Sequence, residues 1–145
     1  MVNDIKGIIK KSVDKEKAKS IFKMAKTNLE MIKTIDTKKY PSQAVKEYYE
    51  VIREFMSIIL LLDGFRTIGE NAHKNIIDYI KVNYKDFTEY EIAFADKLRI
   101  IRNEISYNGF FVQIDFIKRN DKTIHDIIKK LISIVNNKFR GVSND

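Results

Sequence analysis

Apolar residues recur every three or four positions along most of this chain, which is the spacing of one face of an α-helix. Four long stretches of this pattern predict four main helices, at about 12–35, 42–65, 88–108 and 113–139. A shorter stretch at about 70–82 predicts a fifth, short helix. The predicted fold class is therefore all-α, a bundle of four main helices plus a short helix.

Residues that start and stop helices mark several of these boundaries. Pro41 precedes the second helix, and Thr88 with Glu91 has the spacing of a capping box at the start of the fourth. Gly64 and Gly109 follow the second and fourth helices, where glycine adopts the left-handed conformation that ends a helix. The second helix is apolar nearly all round in its C-terminal half, so we expect it to be the most buried one.

Length and composition favour a single domain. The chain has 145 residues, with one proline, five glycines and no stretch that reads as a linker. We expect one domain over residues 1–145, with a core at about 12–139 and a flexible tail at 140–145. Because there is no cysteine, the sequence excludes disulfide scaffolds, thiolate zinc sites and cysteine nucleophiles.

The positive charge of the chain is concentrated in its first quarter. The net charge is +7, and residues 1–40 hold eleven lysines against five acidic residues, which gives +6. Such an excess attracts nucleic acid or an anionic surface, although a solvated helix face is an equally valid interpretation. The longest strictly apolar run, 58–62, is far shorter than the ~20 residues of a membrane span. With no apolar segment after the first lysines, we expect a cytoplasmic protein without membrane contact.

Metal and cofactor sites have little support in the sequence. Glu70 and His73 have the Glu-x-x-His spacing of di-iron bundles, but the only other histidine, His125, has no glutamate three residues before it. The five glycines form no phosphate-binding loop. The expectation is a protein with no metal and no other cofactor.

The segment 98–109, LRIIRNEISYNG, carries the candidate chemistry. Arg99, Arg102 and Ser106 lie along one edge of the fourth helix, beside its apolar stripe. A guanidinium at such a margin packs its stem and binds carboxylate or phosphate. Glu54 borders the most apolar part of the second helix, and a buried carboxylate usually has a cationic partner. Two interpretations are open: Arg102 pairs with Glu54 as a structural contact, or Arg102 binds an external anion.

Several of these residues resemble the HEPN family in order and spacing. The family signature is an arginine followed four to six residues later by a histidine, and some branches have a small polar residue and a tyrosine there instead. Arg102-Asn103 matches the opening, and Ser106-Tyr107 matches that variant. The resemblance also covers three upstream segments: Tyr48-Tyr49 through Arg53-Glu54, Leu62-Asp63-Gly64, and His73 at the start of the third helix.

The resemblance implies a small helical module that dimerises. Many HEPN members are metal-independent ribonucleases of toxin–antitoxin and defence systems, and others only bind. By this resemblance Arg102 would steady a scissile phosphate, and Tyr107 would stand in place of the proton-transferring histidine. A tyrosine with a pKa near ~10 is a poor general base, so binding is the stronger expectation than cleavage.

The resulting hypothesis is a homodimer that binds RNA or a nucleotide at a cleft lined by Arg102, with at most a weak ribonuclease activity. The candidate catalytic residues are Arg102 and Tyr107, and the candidate binding residues are Arg99, Asn103, Ser106 and Glu54. The alternative is a non-catalytic interaction module that pairs with a nucleotidyltransferase-like antitoxin.

Overall fold

A computed structural model describes residues 6–143, with side chains described up to residue 141. The described chain forms five helices: α1 Lys15–Ile32, α2 Pro41–Asp63, α3 Ala72–Asn83, α4 Glu89–Asn108 and α5 Ile114–Ser143. Two three-residue strands, β1 Ile8–Lys10 and β2 Phe65–Thr67, pair antiparallel. The predicted all-α class is confirmed, whereas the strand pair was not predicted.

The long helix α2 lies at the centre of the bundle and packs against α1, α3, α4 and α5. Fourteen of its 23 residues are buried, which confirms the expectation drawn from its apolar C-terminal half. One hydrophobic core contains side chains from all five helices. Burial of this kind stabilises the bundle by about 1.5–3 kcal/mol for each large apolar side chain.

The predicted helix boundaries are close to those of the structure. Thr88 and Glu91 form both hydrogen bonds of the capping box, which confirms that prediction. Gly64 and Gly109 both have left-handed backbone angles, with φ of 88° and 65°. α2 ends at Gly64 because its amide donates back to the carbonyls of the last helical turn.

The ends of α1, α3 and α5 differ from the prediction. α1 spans Lys15–Ile32 where 12–35 was expected, and α3 begins at Ala72, so Glu70 lies before the helix and is exposed. α5 is continuous through Asn120, whose side chain donates to the carbonyl of Phe116. α5 also continues to Ser143, through most of the segment expected to be a flexible tail. Residues 144 and 145, the rest of that tail, lie outside the described residues.

Polar contacts fix the helix ends relative to one another. The amide of Val112, just after α4, donates to the buried hydroxyl of Ser42 at the start of α2, at 2.8 Å. Asp63 at the end of α2 accepts from the phenols of Tyr79 and Tyr84, both at 2.6 Å. α4 therefore runs antiparallel to α2, and α3 ends beside the C-terminus of α2.

Within residues 6–143, no helix combines the length and the apolar character needed to cross a membrane.

Candidate functional site

Five charged side chains come together between α2 and the middle of α4. They are Glu50, Arg53, Asp96, Arg99 and Arg102, and we call them the arginine cluster. Leu98 of α4 is fully buried, so the helical positions one and four residues later border the core instead of facing open solvent. Each arginine of the cluster is only 19–26% exposed.

Two of the guanidinium groups converge on one carboxylate. Arg53 Nη2 donates to Glu50 Oε2 at 2.9 Å, and Arg102 Nε lies 3.2 Å from Glu50 Oε1. Arg99 Nε donates to Asp96 Oδ1 at 2.8 Å. The cluster therefore holds three guanidinium groups against two carboxylates, a local excess of one positive charge.

The hydrogen bonding of this region is incomplete. Among the described residues, four buried side-chain polar atoms have no hydrogen-bond partner: Tyr49 Oη, Glu50 Oε1, Arg53 Nε and Arg102 Nε. The 3.2 Å contact between Arg102 and Glu50 thus brings the charges together without the geometry of a hydrogen bond. Each such atom costs about 1–3 kcal/mol when it stays unpaired, and proteins rarely leave several in one place. Three of the four atoms belong to hydrogen-bond donors and point to an anionic ligand.

The start of α3 brings a histidine to the same place. The ring of His73 lies against the ring of Tyr49, with centroids 6.1 Å apart. Burial, and then the charges of Arg53, Arg102 and Arg99, lower the pKa of His73 below its usual 6.5. Burial raises the pKa of Tyr49 to about 12. The cluster is therefore flanked by a neutral imidazole and a neutral phenol near pH 7.

Of the two interpretations of Arg102, the structural pair with Glu54 is wrong, because the carboxylate beside Arg102 is Glu50, one helical turn earlier. Glu54 accepts instead from the side-chain amide of Asn28 on α1, at 3.2 Å. Burial raises the pKa of Glu54, while Asn28 and Arg53 act against this shift. Glu54 therefore lies at the edge of the cluster, on the side of α1.

The other predicted site residues divide into two groups. Asn103 lies beside the cluster and accepts from Arg102 Nη1 at 3.1 Å. Ser106 is exposed, and Tyr107 is 75% exposed, with no hydrogen bond from its phenol to any described residue. The structure thus gathers Arg99, Arg102 and Asn103 and leaves Ser106 and Tyr107 outside the cluster.

Sequence reasoning missed Glu50, Arg53 and His73 as members of this site. The charged pair Glu50 and Arg53, three residues apart on an otherwise apolar helix, was the available signal for two of them. No local pattern indicates that His73 belongs to the site. Its position depends on the segment between α2 and α3, which contains β2 and brings the start of α3 back beside Tyr49. Glu70 does not accompany it, and no group of three or more potential metal ligands occurs among the described residues.

Five exposed apolar side chains lie on α4, in the connector after it and at the start of α5. They are Ile100, Tyr107, Phe110, Phe111 and Ile114, and we call them the apolar patch. Phe111 is 79% exposed, an unusual position for so large an apolar side chain. Exposed apolar side chains of this size are candidates for an interaction surface.

A groove elsewhere on the described chain is a different feature. It has a volume of about 810 Å³ and lies between α3 and the first half of α4. Its charged lining consists of Lys74, Lys81 and Lys85 against Asp78, Glu89 and Asp96, so it has no net charge. It shares only Asp96 with the arginine cluster. The groove therefore offers a phosphate no electrostatic advantage, unlike the cluster.

No family model matches this chain, and no curated protein or solved structure matches it significantly.

Proposed function

We propose that this protein is a HEPN-like domain that binds a phosphate group of RNA or of a nucleotide at the arginine cluster. The observation that carries the proposal is the set of buried donors without partners on Tyr49, Arg53 and Arg102, in a cluster with excess positive charge. Guanidinium groups bind phosphate with charge-assisted hydrogen bonds, and partial burial strengthens these bonds.

The geometry favours an anion site over a closed structural ion pair. In a closed pair the arginine and the carboxylate satisfy each other, as Arg99 and Asp96 do at 2.8 Å. Arg102 and Glu50 do not, since both atoms of their closest contact remain without hydrogen bonds. Two guanidinium groups already converge on one carboxylate here, so their spacing suits a small anion.

The lysine-rich helix α1 supports an RNA ligand. Asn28 of α1 contacts Glu54 at the edge of the cluster, so α1 flanks the site. Lys17, Lys19 and Lys23 are exposed on this helix. The exposed lysines of this helix add a salt-dependent attraction to an RNA backbone.

The apolar patch supports a homodimer. A twofold axis through this patch would bury the same apolar residues on both copies, as an isologous interface requires. In a dimer of the kind that the HEPN resemblance implies, two Arg102 side chains would share one cationic cleft. The same patch also suits the alternative function, in which a nucleotidyltransferase-like partner covers it.

The deciding experiment measures binding of a short, fluorescently labelled single-stranded RNA by anisotropy at several salt concentrations. We expect Arg102→Ala to weaken binding about 10- to 100-fold, since a charged hydrogen bond is worth about 1.5–3 kcal/mol. Arg119→Ala is the matched control, because Arg119 is exposed on α5 and its removal changes the net charge equally. If both variants lose the same RNA affinity, the effect is due to net charge alone, and the arginine cluster is not the binding site.

A further inference from the structure

We propose that the arginine cluster takes a phosphate monoester dianion, the terminal phosphate of a nucleotide or of an RNA strand, and that His73 gains a proton when this ligand binds. This inference rests on the proposed phosphate-binding function. It adds which phosphate the site selects and which residue compensates the charge of that phosphate.

Enclosure of the cluster favours a terminal phosphate. Three helices surround it: α2 supplies Glu50 and Arg53, α4 supplies Arg99 and Arg102, and α3 supplies His73. The charged side chains are about three-quarters covered, so the site opens to solvent on a limited face. A terminal phosphate can approach partly covered side chains end-on, whereas an internal phosphate needs room for a chain that leaves on both sides.

The number of available donors also matches a monoester. A phosphate monoester carries about −1.5 to −2 charges near pH 7 and offers three acceptor oxygens. An internal phosphodiester carries one charge and offers only two unbridged oxygens. Three buried donor groups have no partner, the phenol of Tyr49 and the Nε atoms of Arg53 and Arg102. Each guanidinium group carries five N–H donors, so the cluster holds at least the three donors that the three oxygens of a monoester need.

Charge balance gives His73 its role. The cluster alone has an excess of one positive charge, which leaves a dianion incompletely compensated. His73 is half-buried beside the cluster, and no hydrogen bond from a described residue holds its ring nitrogens. A proton on this imidazole would raise the excess to two, equal to the charge of the ligand.

The groups around His73 explain why it is neutral before binding. From α2 it is faced by Tyr49, Glu50 and Arg53, and from α4 by Arg99 and Arg102. Burial is the main cause of its lowered pKa, the three arginines add to the shift, and only Glu50 opposes it. The charged residues next to it in sequence, Glu70 before α3 and Lys74 on α3, are exposed. A bound dianion would reverse the electrostatic balance and favour the protonated ring.

The first test compares two RNA oligonucleotides of identical sequence, one with a 5′-phosphate and one with a 5′-hydroxyl, by calorimetric titration of the full chain. AMP and adenosine form a second pair. This pair tests whether the site binds a free nucleotide rather than the end of an RNA strand. We expect the phosphorylated member of at least one pair to bind about tenfold tighter or more, as charge-assisted hydrogen bonds to the extra phosphate allow. That preference should disappear in Arg102→Ala.

The second test measures proton uptake. Titrations of the phosphorylated ligand in two buffers with different ionisation enthalpies report the protons taken up, and we expect a net uptake at pH 7 to 7.5. Affinity should also rise as the pH is lowered from 8 to 6.5. Both effects should be lost in His73→Asn and retained in His125→Asn, which removes the exposed histidine of α5. The wild-type measurements stand even where the His73 variant fails to fold.

The outcomes separate the two proposals. If both oligonucleotides bind equally and both are lost in Arg102→Ala, the selection of a terminal phosphate is wrong and phosphate binding stands. A phosphate preference without proton uptake in the wild-type chain overturns the role of His73. If no RNA and no nucleotide binds, the proposed function fails, and this inference fails with it.

Discussion

Glu50 of α2 is the shared counter-ion of two arginines from different helices. Its Oε2 accepts from Arg53 at 2.9 Å, and its Oε1 lies 3.2 Å from Arg102 Nε without forming a hydrogen bond. The carboxylate therefore occupies the position between two guanidinium groups that an incoming phosphate would take. If the cluster binds phosphate as proposed, Glu50 would compete with the ligand while it holds the arginines in place.

Replacing Glu50 by glutamine should strengthen anion binding. The Glu50→Gln variant keeps the size of the side chain and removes the competing charge, so we expect affinity for the phosphorylated RNA to rise about 3- to 10-fold. Stability without ligand should fall by about 1–2 kcal/mol, between the values for exposed and fully buried pairs, because two arginines lose their counter-ion. Anisotropy and urea unfolding measure the two effects.

Glu47→Gln is the control for this prediction, since Glu47 lies one turn away on the same helix and forms none of the ion pairs found among the described residues. It should change affinity by less than Glu50→Gln does. If Glu50→Gln weakens binding instead, Glu50 is required to position the arginines and does not compete with the ligand.

Removing the hydroxyl of Ser42 should destabilise the bundle. In Ser42→Ala the buried amide of Val112 loses its acceptor, and a buried donor without a partner costs about 1–3 kcal/mol. Urea unfolding followed by circular dichroism measures the loss. Ser106→Ala, at an exposed position, should stay within about 0.5 kcal/mol of wild type. A neutral result for Ser42→Ala would mean that this contact does not tie α4 to α2.

Glu91 should make the protein sensitive to acid. Burial alone would raise the pKa of its carboxyl, but hydrogen bonds from Lys130 and from the backbone of Thr88 outweigh burial and lower the pKa below its usual 4.5. Because the folded-state pKa is lower than the unfolded one, this stability is fully present above pH 4.5 and is lost as the pH falls through the folded value. Glu91→Gln keeps the capping geometry and removes the charge.

Unfolding at pH 6 and at pH 3.5 checks this prediction. Wild type should be more stable than Glu91→Gln at pH 6, and the difference should shrink at pH 3.5. The exposed residue Glu89 provides the control Glu89→Gln, which should show little of this pH dependence. A difference that is the same at both pH values would contradict the assignment to the carboxylate.

A charge in the apolar patch should disrupt self-association. Phe111 is 79% exposed, so Phe111→Glu leaves the core intact and opposes burial of the patch in a dimer. Light scattering after size exclusion should show a dimer for wild type and a monomer for this variant. Tyr90→Glu, at the exposed start of α4, should remain dimeric. A monomeric wild type would remove the dimer from the proposal and leave the patch for a different partner.

Much of the fold was predictable because helices are specified locally. The apolar stripe of each helix, the capping box at Thr88 and the glycine at 64 lie within a few residues of the structure they determine. The strands β1 and β2 escaped prediction because each has only three residues, and the pair exists only because Ile8 meets Thr67 across the fold. Short strands of this kind have no periodicity of their own to detect.

The candidate site was predictable only in part. Arg102 lies at the edge of an apolar stripe and could be singled out from the sequence, as could Arg99. The structural interpretation of Arg102 named Glu54 as its partner, one helical turn after the residue that it meets, Glu50. Both glutamates lie on one face of α2, and only the position of α4 along the axis of α2 decides which of them Arg102 meets. That position is set by contacts distant in sequence, such as Ser42 with Val112.

The sequence by itself therefore determined the helices, their order and the arginines of α4, because periodicity and capping act within a few residues. Only the tertiary structure decided which side chains meet at the site. It placed Glu50 between Arg53 and Arg102, brought His73 to Tyr49 and left Tyr107 in solvent. The physical reason is that helix register and the return of the chain along α2 depend on packing of the whole core, which no local pattern records.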